Sequence, residues 1–372
     1  MKICDLTKYL EDWAPPGAAW ERDNVGLQVG SKAERLKNIL LCLELDEEVL
    51  KEAIQNNCNF IFTHHPFIFY PIKKLDTEKN LQAQLIEKLL KNKITLYSAH
   101  TNLDFVKEGV SFELARALKL KNIKFLENQE SSQFKVVVFV PNDKADEIAA
   151  ALFNAGAGKI GEYDMCSFRL SGEGTFQGSV NTNPAVGKKE QFETLSEVRV
   201  EVIVDSWNLN KAINAMLKAH PYEEPAFDVY PLKNKNINYG AGAIGELSSE
   251  MSEKNFLLHL CKSLKINNFK YCSGKNKMIK KAAVCGGSGA DMLNSAISLG
   301  ADAFITADIK YHTYQEAKEK ILFIDAGHYE TEIFSLNAVE RKINKFLKEE
   351  LEDHIQVFKY TGTTSPVKFY KQ

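Results

Sequence analysis

The chain has 372 residues, of which 44% are hydrophobic and 26% charged, and its formal net charge is -2. At roughly 100–200 residues per domain, this length predicts two or three domains with a sizeable core. A protein that grips a phosphate backbone usually has a basic excess, so we do not expect direct nucleic-acid binding.

The N-terminus and the cysteines predict a cytoplasmic protein. Asp5 interrupts the first apolar residues, so a secretory signal is not expected, and no uninterrupted apolar run is long enough to predict a membrane span. The seven cysteines are odd in number and lack Cys-x-x-Cys spacing, which argues against a disulfide framework and against a thiolate zinc site.

Residues 38–104 alternate between strand and helix signals and belong to a first predicted lobe, residues 1–130. Asn38 to Leu45 is an apolar run typical of a strand buried on both faces, and Asp46 is positioned to cap a helix that runs to Asn57. Two more strand signals and one helix signal follow, at residues 60–63, 94–98 and 81–90. This order predicts a βαβαβ unit with a parallel sheet.

Residues 236–372 repeat the same plan. Strands are predicted at residues 281–285, 303–306, 321–325 and 355–360, with helices between them. We therefore predict an α/β fold in which two similar lobes form one core, with the second lobe completing the functional site.

Residues 131–235 have a different pattern. The predicted order of elements is βαββαβ, which is the split-βαβ, ferredoxin-like arrangement. Polar stretches at residues 127–132 and 233–236 are typical of linkers. The sequence therefore predicts an inserted α+β domain between the two lobes.

Histidines and carboxylates cluster after three of the predicted parallel strands. His64 and His65 follow the strand that ends at Thr63, and two further groups follow later strands. Those groups are His100 with Asp104, and His328 with Glu332. The carboxyl ends of parallel strands form the edge where open α/β sheets bind ligands, so we predict one metal site from all three groups.

The local spacing fits two metal ions. Pro66 favours an extended His65, so the side chains of His64 and His65 diverge and can serve different ions. His328 and Glu332 are four residues apart and share one face if a helix starts at Gly327. Imidazole and carboxylate together suit zinc, manganese or iron. A lone His-His pair is more often structural, but three clusters at matching strand ends favour metal.

The charges at this site predict the kind of substrate. Two divalent ions bring four positive charges, and Asp104 with Glu332 returns two, which favours an anionic substrate such as a phosphate ester or a nucleotide. Two ions about 3.5–4 Å apart can activate water for hydrolysis.

Three other segments allow two interpretations each. Asp308, Lys310 and His312 follow a strand of the second lobe and either line the metal cavity and contact substrate, or begin a helix capped by Asp308. The glycine-rich residues 286–291 are interpreted as a tight turn rather than a phosphate loop, because the full phosphate-loop motifs are absent. Residues 220–225, His-Pro-Tyr-Glu-Glu-Pro, are a rigid loop in preference to a second ligand-binding or lid segment.

The motifs resemble one known family across nearly the whole chain. They are Asp23-Asn24-Val25-Gly26, Thr63-His64-His65-Pro66, Ala99-His100-Thr101-Asn102-Leu103-Asp104 and Gly327-His328-Tyr329-Glu330-Thr331-Glu332, with Gly156 to Gly161 and His220 to Pro225 in the insert. This set resembles the Nif-three-like family, whose bacterial members are commonly labelled GTP cyclohydrolase 1 type 2 homologues.

The resemblance implies a dinuclear metal site in a toroidal homohexamer and an insert of the PII/CutA kind. Its ligand pattern implies that His64 and Asp104 hold one ion, that His65 and His328 hold the other, and that Glu332 bridges them. His100 would lie close by as a proton-transfer group.

The predicted function is a metal-dependent hydrolase acting on a nucleotide, with GTP as the candidate that the resemblance implies. A phosphoesterase is the close variant. The alternatives are a non-enzymatic metal-binding or metal-delivery protein, with the insert as a regulatory module, and a nucleic-acid or transcription partner, which the near-neutral charge disfavours.

Overall fold

The protein is described here by a computed structural model that covers residues 1–370 and divides into two compact units. The core unit combines Met1–Glu127 with the chain from Tyr239 onward, and the inserted unit is Asn128–Asn238. Both units contain strands and helices, and the strands form three sheets. The fold is therefore mixed α/β, as the sequence predicts.

The strands and helices are numbered along the chain. The strands are β1 (Gly26–Val29), β2 (Asn38–Cys42), β3 (Cys58–Thr63), β4 (Thr95–Ser98), β5 (Lys121–Gln129), β6 (Gln133–Pro141), β7 (Phe168–Gln177), β8 (Phe192–Asp205), β9 (Phe227–Pro231), β10 (Asn236–Ser252), β11 (Lys270–Cys272), β12 (Met278–Ser288), β13 (Ala303–Ala307), β14 (Leu322–Asp325) and β15 (Val357–Lys359). The helices are α1 (Ile3–Trp13), α2 (Glu47–Gln55), α3 (Leu81–Lys91), α4 (Thr101–Asp104), α5 (Val110–Ala117), α6 (Ala145–Asn154), α7 (Ser206–Ala219), α8 (Glu253–Leu264), α9 (Leu293–Ser298), α10 (Tyr311–Ala317), α11 (His328–Glu332) and α12 (Ser335–Glu349). Short 3-10 helices occur at Pro16–Ala18, Asn142–Lys144 and Ala290–Met292.

The first sheet has the strand order β1-β4-β3-β2-β15. Strands β2, β3 and β4 are parallel neighbours, which confirms the predicted βαβαβ unit. The Asp46 side chain accepts a 2.8 Å hydrogen bond from the backbone N–H of Val49 and so caps α2 as predicted. Strand β3 is buried along its whole length, because helices or loops cover both faces of a parallel sheet.

The last strand differs from the prediction, which assigned residues 355–360 to the second lobe. Strand β15 pairs in parallel with β2 at the edge of the first sheet, with Val357 opposite Ile39. Helix α12, which precedes it, buries Leu336, Val339 and Ile343 in the core of the same sheet. Because the apolar face of this helix packs in that core, the chain that follows it lies at the edge of the first sheet.

The second sheet has the strand order β11-β14-β13-β12-β10-β5, with β12, β13 and β14 parallel as predicted. Strand β5 comes from the N-terminal half and pairs with β10 in this sheet. Residues 127–132, predicted as a linker, therefore begin inside a strand, which the buried side chains of Phe125 and Leu126 anchor. The two halves thus exchange strands within one compact unit.

The inserted unit runs in the order β6, α6, β7, β8, α7, β9, and its antiparallel sheet has the order β7-β8-β6-β9. Helices α6 and α7 share a core with one face of this sheet, where Val138, Ile148 and Val202 are buried. Strands β7 and β8 have 10 and 14 residues and form a long hairpin. Much of β7 is exposed, so few apolar residues mark its extent in the sequence.

Within residues 1–370, none of the helices combines the length and apolar character that crossing a bilayer requires. All seven cysteines are free thiols. Cys42 and Cys58 are buried in β2 and β3, where they pack as small apolar residues.

Gly30 packs tightly against strand β4. It has a φ of +99°, and a Cβ added there would lie 2.8 Å from Thr95 Cα and 3.0 Å from Ile94 O. We expect Gly30→Ala to lower the free energy of unfolding by about 1–3 kcal/mol, measured by urea denaturation. Gly26→Ala is the matched control, because Gly26 has a φ of +94° but no heavy atom within 4 Å of the added carbon. Equal losses in the two variants would contradict the packing argument.

Candidate metal centre

The fold brings the three histidine and carboxylate clusters to one place in the core unit. His64 and His65 follow the end of β3, and Asp104 ends α4, the short helix after β4. His328 begins α11 just beyond β14, and Glu332 ends the same helix. Because β3, β4 and β14 are parallel strands within their sheets, their carboxyl ends present these side chains at sheet edges, as the sequence predicts.

Glu332 lies at the centre of this group and is only 5% exposed. Its Oε1 is 3.1 Å from His328 Nε2 and 3.7 Å from His64 Nε2. Its Oε2 is 3.2 Å from His65 Nε2. The same His64 Nε2 is also 3.7 Å from Asp104 Oδ1. All five predicted ligands are therefore within reach of one small volume; their division between two ions stays a prediction.

Several buried polar atoms in this cluster have no hydrogen-bond partner in the described part of the chain. They are His64 Nε2, Asp104 Oδ1 and Glu332 Oε2, the last of which lies 3.2 Å from His65 Nε2 without the geometry of a hydrogen bond. Leaving a buried polar atom unsatisfied costs roughly 1–3 kcal/mol, so three such atoms in one cluster indicate a missing ligand. Nitrogen and carboxylate oxygen are the donors that zinc, iron and manganese accept, and the residues present therefore fit a metal ion.

The other ring nitrogen of each histidine is already engaged. Each Nδ1 lies at hydrogen-bond distance from an oxygen outside the cluster, which leaves each Nε2 free to face inward. The pairs are His64 with Ala99 O at 2.9 Å, His65 with Glu44 Oε1 at 2.8 Å, His100 with Asp23 Oδ2 at 2.9 Å and His328 with Asp308 Oδ2 at 2.7 Å. Metal-bound histidines are commonly oriented in this way, and the partner selects the tautomer that offers its free nitrogen to the ion.

His100 stands beside the cluster in the same pattern. Its ring centroid is 5.3 Å from that of His64 and 5.4 Å from that of His65. These three histidines offer ligand atoms within 4.8 Å of one another, as do His65, His328 and Glu332. His100 is therefore positioned either to bind an ion or to exchange protons next to one.

Asp23 and Glu44 orient two of these histidines, a role that the sequence analysis did not assign to either residue, although Asp23 lies in one of the quoted motifs. Asp23 also accepts a hydrogen bond from the Thr101 backbone N–H at 3.1 Å. Burial raises the pKa of Asp23, but its bonds to His100 and Thr101 outweigh this and lower the pKa to about 2. For Glu44 a signal existed, because a charged residue interrupts the apolar run from Asn38 to Leu45 at the end of a strand.

The three residues predicted to contact substrate lie in different surroundings in the structure. Asp308 holds His328 and also lines the cavity above the cluster, together with Lys310. His312 is exposed on α10 and is not among the described residues that line this cavity. Substrate contact by Asp308, Lys310 and His312 stays a prediction.

The charges inside the cluster shift the pKa values of its members. Burial lowers the pKa of His65, but the close carboxylates of Glu332 and Glu44 outweigh it and raise the pKa to about 10. The Glu332 carboxylate beside its Nε2 raises the pKa of His328 to about 9, against the effect of burial. Burial raises the pKa of Glu332, but the charge of His64 and bonds to the surrounding imidazoles hold it well below the usual range. The carboxylate thus stays ionised and favours a positive charge among these rings.

The glycine-rich end of β12 closes one side of the cluster. Gly287 has a φ of +65°, and a Cβ at this position would collide with Glu332 Oε1 and approach His328 Nε2 to 3.2 Å. The strand therefore needs glycine here so that the backbone can pass close to the carboxylate. Residues 286–288, which the sequence analysis interprets as part of a tight turn, instead end β12, where its pairing with β13 shifts register between Val284 and Ser288.

A cavity of about 880 Å³ opens over the cluster. His65, His100, Asp104, His328 and Glu332 contribute to its lining. The remaining lining includes an exposed indole, one lysine and four more carboxylates, from Trp20, Lys310, Glu127, Asp291, Asp308 and Glu316. A small molecule that enters this cavity would therefore contact the candidate metal ligands directly.

Comparison with known proteins places the chain in a family. Residues 1–366 match the family model Duf34/NIF3 (NGG1p interacting factor 3). Curated relatives named "GTP cyclohydrolase 1 type 2 homolog" include one from Halalkalibacterium halodurans, 37% identical over 95% of this chain and 96% of its own, and one from Bacillus subtilis, 35% identical over 98% and 97%. A Bacillus cereus protein related to NIF3 has a solved structure with a TM-score of 0.81 at 36% identity, covering 100% of this chain and 99% of its own. The family predicted from the motifs is therefore confirmed, and this chain belongs to the Duf34/NIF3 family.

Proposed function

We propose that this protein binds two divalent metal ions at the cluster around Glu332 and hydrolyses a small phosphorylated substrate, with a nucleotide such as GTP as the first candidate. The observation that carries this proposal is the convergence of buried, unpartnered atoms of His64, Asp104 and Glu332, of which Asp104 and Glu332 also line the 880 Å³ cavity. The name carried by the relatives, "GTP cyclohydrolase 1 type 2 homolog", supports the nucleotide.

The protein side chains have separate tasks in this proposal. His64 with Asp104 would hold one ion and His65 with His328 the other, with Glu332 between them. Bound divalent ions would act as Lewis acids and lower the pKa of coordinated water towards neutrality. Zinc suits this donor set, as do iron and manganese.

His100 is the candidate for moving protons. It lies beside both His64 and His65, and the Asp23 carboxylate at its Nδ1 favours the tautomer whose Nε2 accepts a proton. The same carboxylate stabilises the imidazolium once a proton has been taken up. Lys310 at the cavity wall is suited to a phosphate group of the substrate.

The family resemblance supports two further proposals. The chain would assemble as a homohexamer in the cytoplasm, and light scattering on the full chain would give the subunit number. The insert would be a ferredoxin-like domain of the PII/CutA kind, which its βαββαβ order and its sheet order β7-β8-β6-β9 support.

Metal binding is expected to depend on Glu332. We expect the wild-type chain to retain two zinc ions after dialysis, whereas Glu332→Gln lowers the affinity at least about 100-fold, because the amide lacks the charge that opposes the ions. Elemental analysis and zinc calorimetry measure both effects. Glu330→Gln is the matched control on the same helix, since Glu330 is not part of either described ligand group. Two ions bound equally well by both variants would refute the proposed centre.

The outer partner of His328 is expected to contribute to affinity. Asp308→Asn should weaken zinc binding roughly 10- to 100-fold, because the neutral amide orients the imidazole less firmly and makes its Nε2 less basic. Competition with a coloured chelator measures the change. Asp291→Asn removes a carboxylate from the same cavity without touching a histidine ligand and is the control for general charge. Equal losses in the two variants would indicate a general electrostatic effect and reject the specific role of Asp308.

Hydrolysis of GTP is tested by formate release from the zinc-loaded protein. We expect release by the wild type, none by Glu332→Gln, and a rate lowered roughly 10²- to 10⁴-fold in His100→Gln, which removes general acid–base transfer. Metal content is measured on the same samples, so that lost chemistry is separated from lost metal.

Formate release that is unchanged in His100→Gln with both ions bound would reject the role of His100. No formate release by the wild type with two ions bound would reject the cyclohydrolase reaction. Release of inorganic phosphate from a phosphate ester by that same sample would identify the phosphoesterase variant. Absence of all turnover would leave metal binding or delivery as the function of this centre.

A further inference from the structure

The inserted unit contains a cavity of about 590 Å³ of its own. It lies on the face of the sheet that α6 and α7 leave uncovered. Phe139, Leu170 and Arg199 occupy one register row of that face and line the cavity. The neighbouring residue Val200 points to the helix side and is buried in the core. A volume of this size is within the range of small-molecule sites.

Residues 220–225 form one wall of this cavity. His220 is nearly buried, its Nε2 donates to Phe139 O at 3.0 Å, and its Nδ1 accepts from the Tyr222 backbone N–H at 3.1 Å. The Tyr222 hydroxyl then donates to Glu197 Oε1 at 3.1 Å. His220 therefore anchors the segment to β6, and the residues after it line the cavity.

The opposite wall comes from the connection between β7 and β8. Thr182, Pro184 and Val186 in this connection line the cavity. The backbone N–H of Asn183 donates to Glu223 Oε1 at 2.8 Å, which joins the two walls. Two chain segments that are distant in sequence are thus held together over the sheet.

Two glycines of β7 lie at the floor of the cavity. Gly172 and Gly174 of β7 lie opposite Glu197 and Leu195 of β8 and on the same face as the cavity. A Cβ added at Gly172 would meet no heavy atom within 4 Å, so the space above this residue is open. At Gly174 an added Cβ would collide with the Glu197 carboxylate, which therefore lies directly over the strand.

The lining combines negative charge with aromatic rings. Three carboxylates and one guanidinium belong to lining residues on the cavity side of the sheet or in the loops that cover it, and the members are Glu197, Glu223, Glu224 and Arg199. The Nη2 of Arg199 is 3.0 Å from Glu201, so part of its charge is already neutralised outside the lining. Phe139, Phe176 and Tyr222 add three rings, whose faces attract cations as well as flat apolar groups.

We infer that this cavity is a binding site for a small organic cation, an ammonium group carried on a flat apolar body. The ammonium would be held by Glu197 and its neighbouring carboxylates, and the apolar body would lie against the rings. This site lies wholly within the inserted unit and does not depend on the proposed metal chemistry.

Calorimetry on the full-length protein with three ligands of the same shape tests the assignment. Tryptamine carries a positive charge, tryptophol is neutral and indole-3-acetate is negative. We expect tryptamine to bind at least about tenfold more tightly than tryptophol, because one hydrogen bond to a charged group typically contributes that much affinity. We expect indole-3-acetate to bind most weakly. Tryptophol or indole-3-acetate binding as tightly as tryptamine would overturn the inference, and so would no saturation by tryptamine at millimolar concentration.

Two variants locate the site. Glu197→Gln keeps the size of the side chain and an acceptor for Tyr222, so it should reduce the affinity for tryptamine about tenfold and leave that for tryptophol unchanged. Gly172→Val adds a side chain to the open floor of a strand and should abolish binding of both ligands.

The matched controls leave the cavity intact. Glu147→Gln removes one charge from the outer surface of helix α6, and Thr194→Val alters an exposed position of β8, so both should bind tryptamine like the wild type. Circular dichroism and thermal unfolding establish that each variant is folded. Undiminished tryptamine binding by folded Gly172→Val would show that the ligand binds elsewhere and would overturn the inference.

Discussion

The core unit depends on one buried carboxylate. Glu332 is 5% exposed and has His64, His65 and His328 around its two oxygens. A carboxylate removed from water is costly unless positive charge compensates it, and three imidazoles with their Nε2 atoms turned inward provide a place for that charge. Glu44, Asp308 and a backbone carbonyl hold those rings from outside. Gly287 leaves room for this carboxylate. The position of Glu332 therefore constrains the backbone, the rings and the cavity together.

This arrangement requires both halves of the chain at once. His64 and His65 come from the first sheet, whereas His328 and Glu332 come from a helix next to the second. The halves cannot separate without breaking strand pairs, because β15 belongs to the first sheet and β5 to the second. The exchange keeps the two sets of ligands in a fixed geometry, and a metal site needs that precision because small displacements weaken coordination.

The parts that follow from local pattern were predictable from the sequence. The apolar run from Asn38, the Asp46 cap and the histidines after Thr63 each express a short-range rule, and the convergence at strand ends follows from parallel topology. The pairing of β15 with β2 depends on contacts between residues about 300 positions apart, which periodicity does not reveal. The contact of Asp23 with His100 is also long-range, and so is that of Glu44 with His65, although Glu44 leaves a local signal as a charge within an apolar run. The extent of the β7–β8 hairpin is not apparent from the sequence because its exposed strands have little apolar alternation.

Strands β5 and β10, which lead into and out of the insert, are neighbours in one sheet, and Asn128 Nδ2 donates to Asn236 O at 3.2 Å between them. The chain therefore leaves the core and returns at almost the same point. Closing a loop costs conformational entropy that grows with the length of the loop. A folded segment whose two ends are adjacent already brings the flanking chain together, so it adds little of this entropy cost to the core. The folding of the core is thus nearly independent of how many residues the insert contains. In evolutionary terms, this junction is a position where a domain can be gained, replaced or lost while the core scaffold stays continuous.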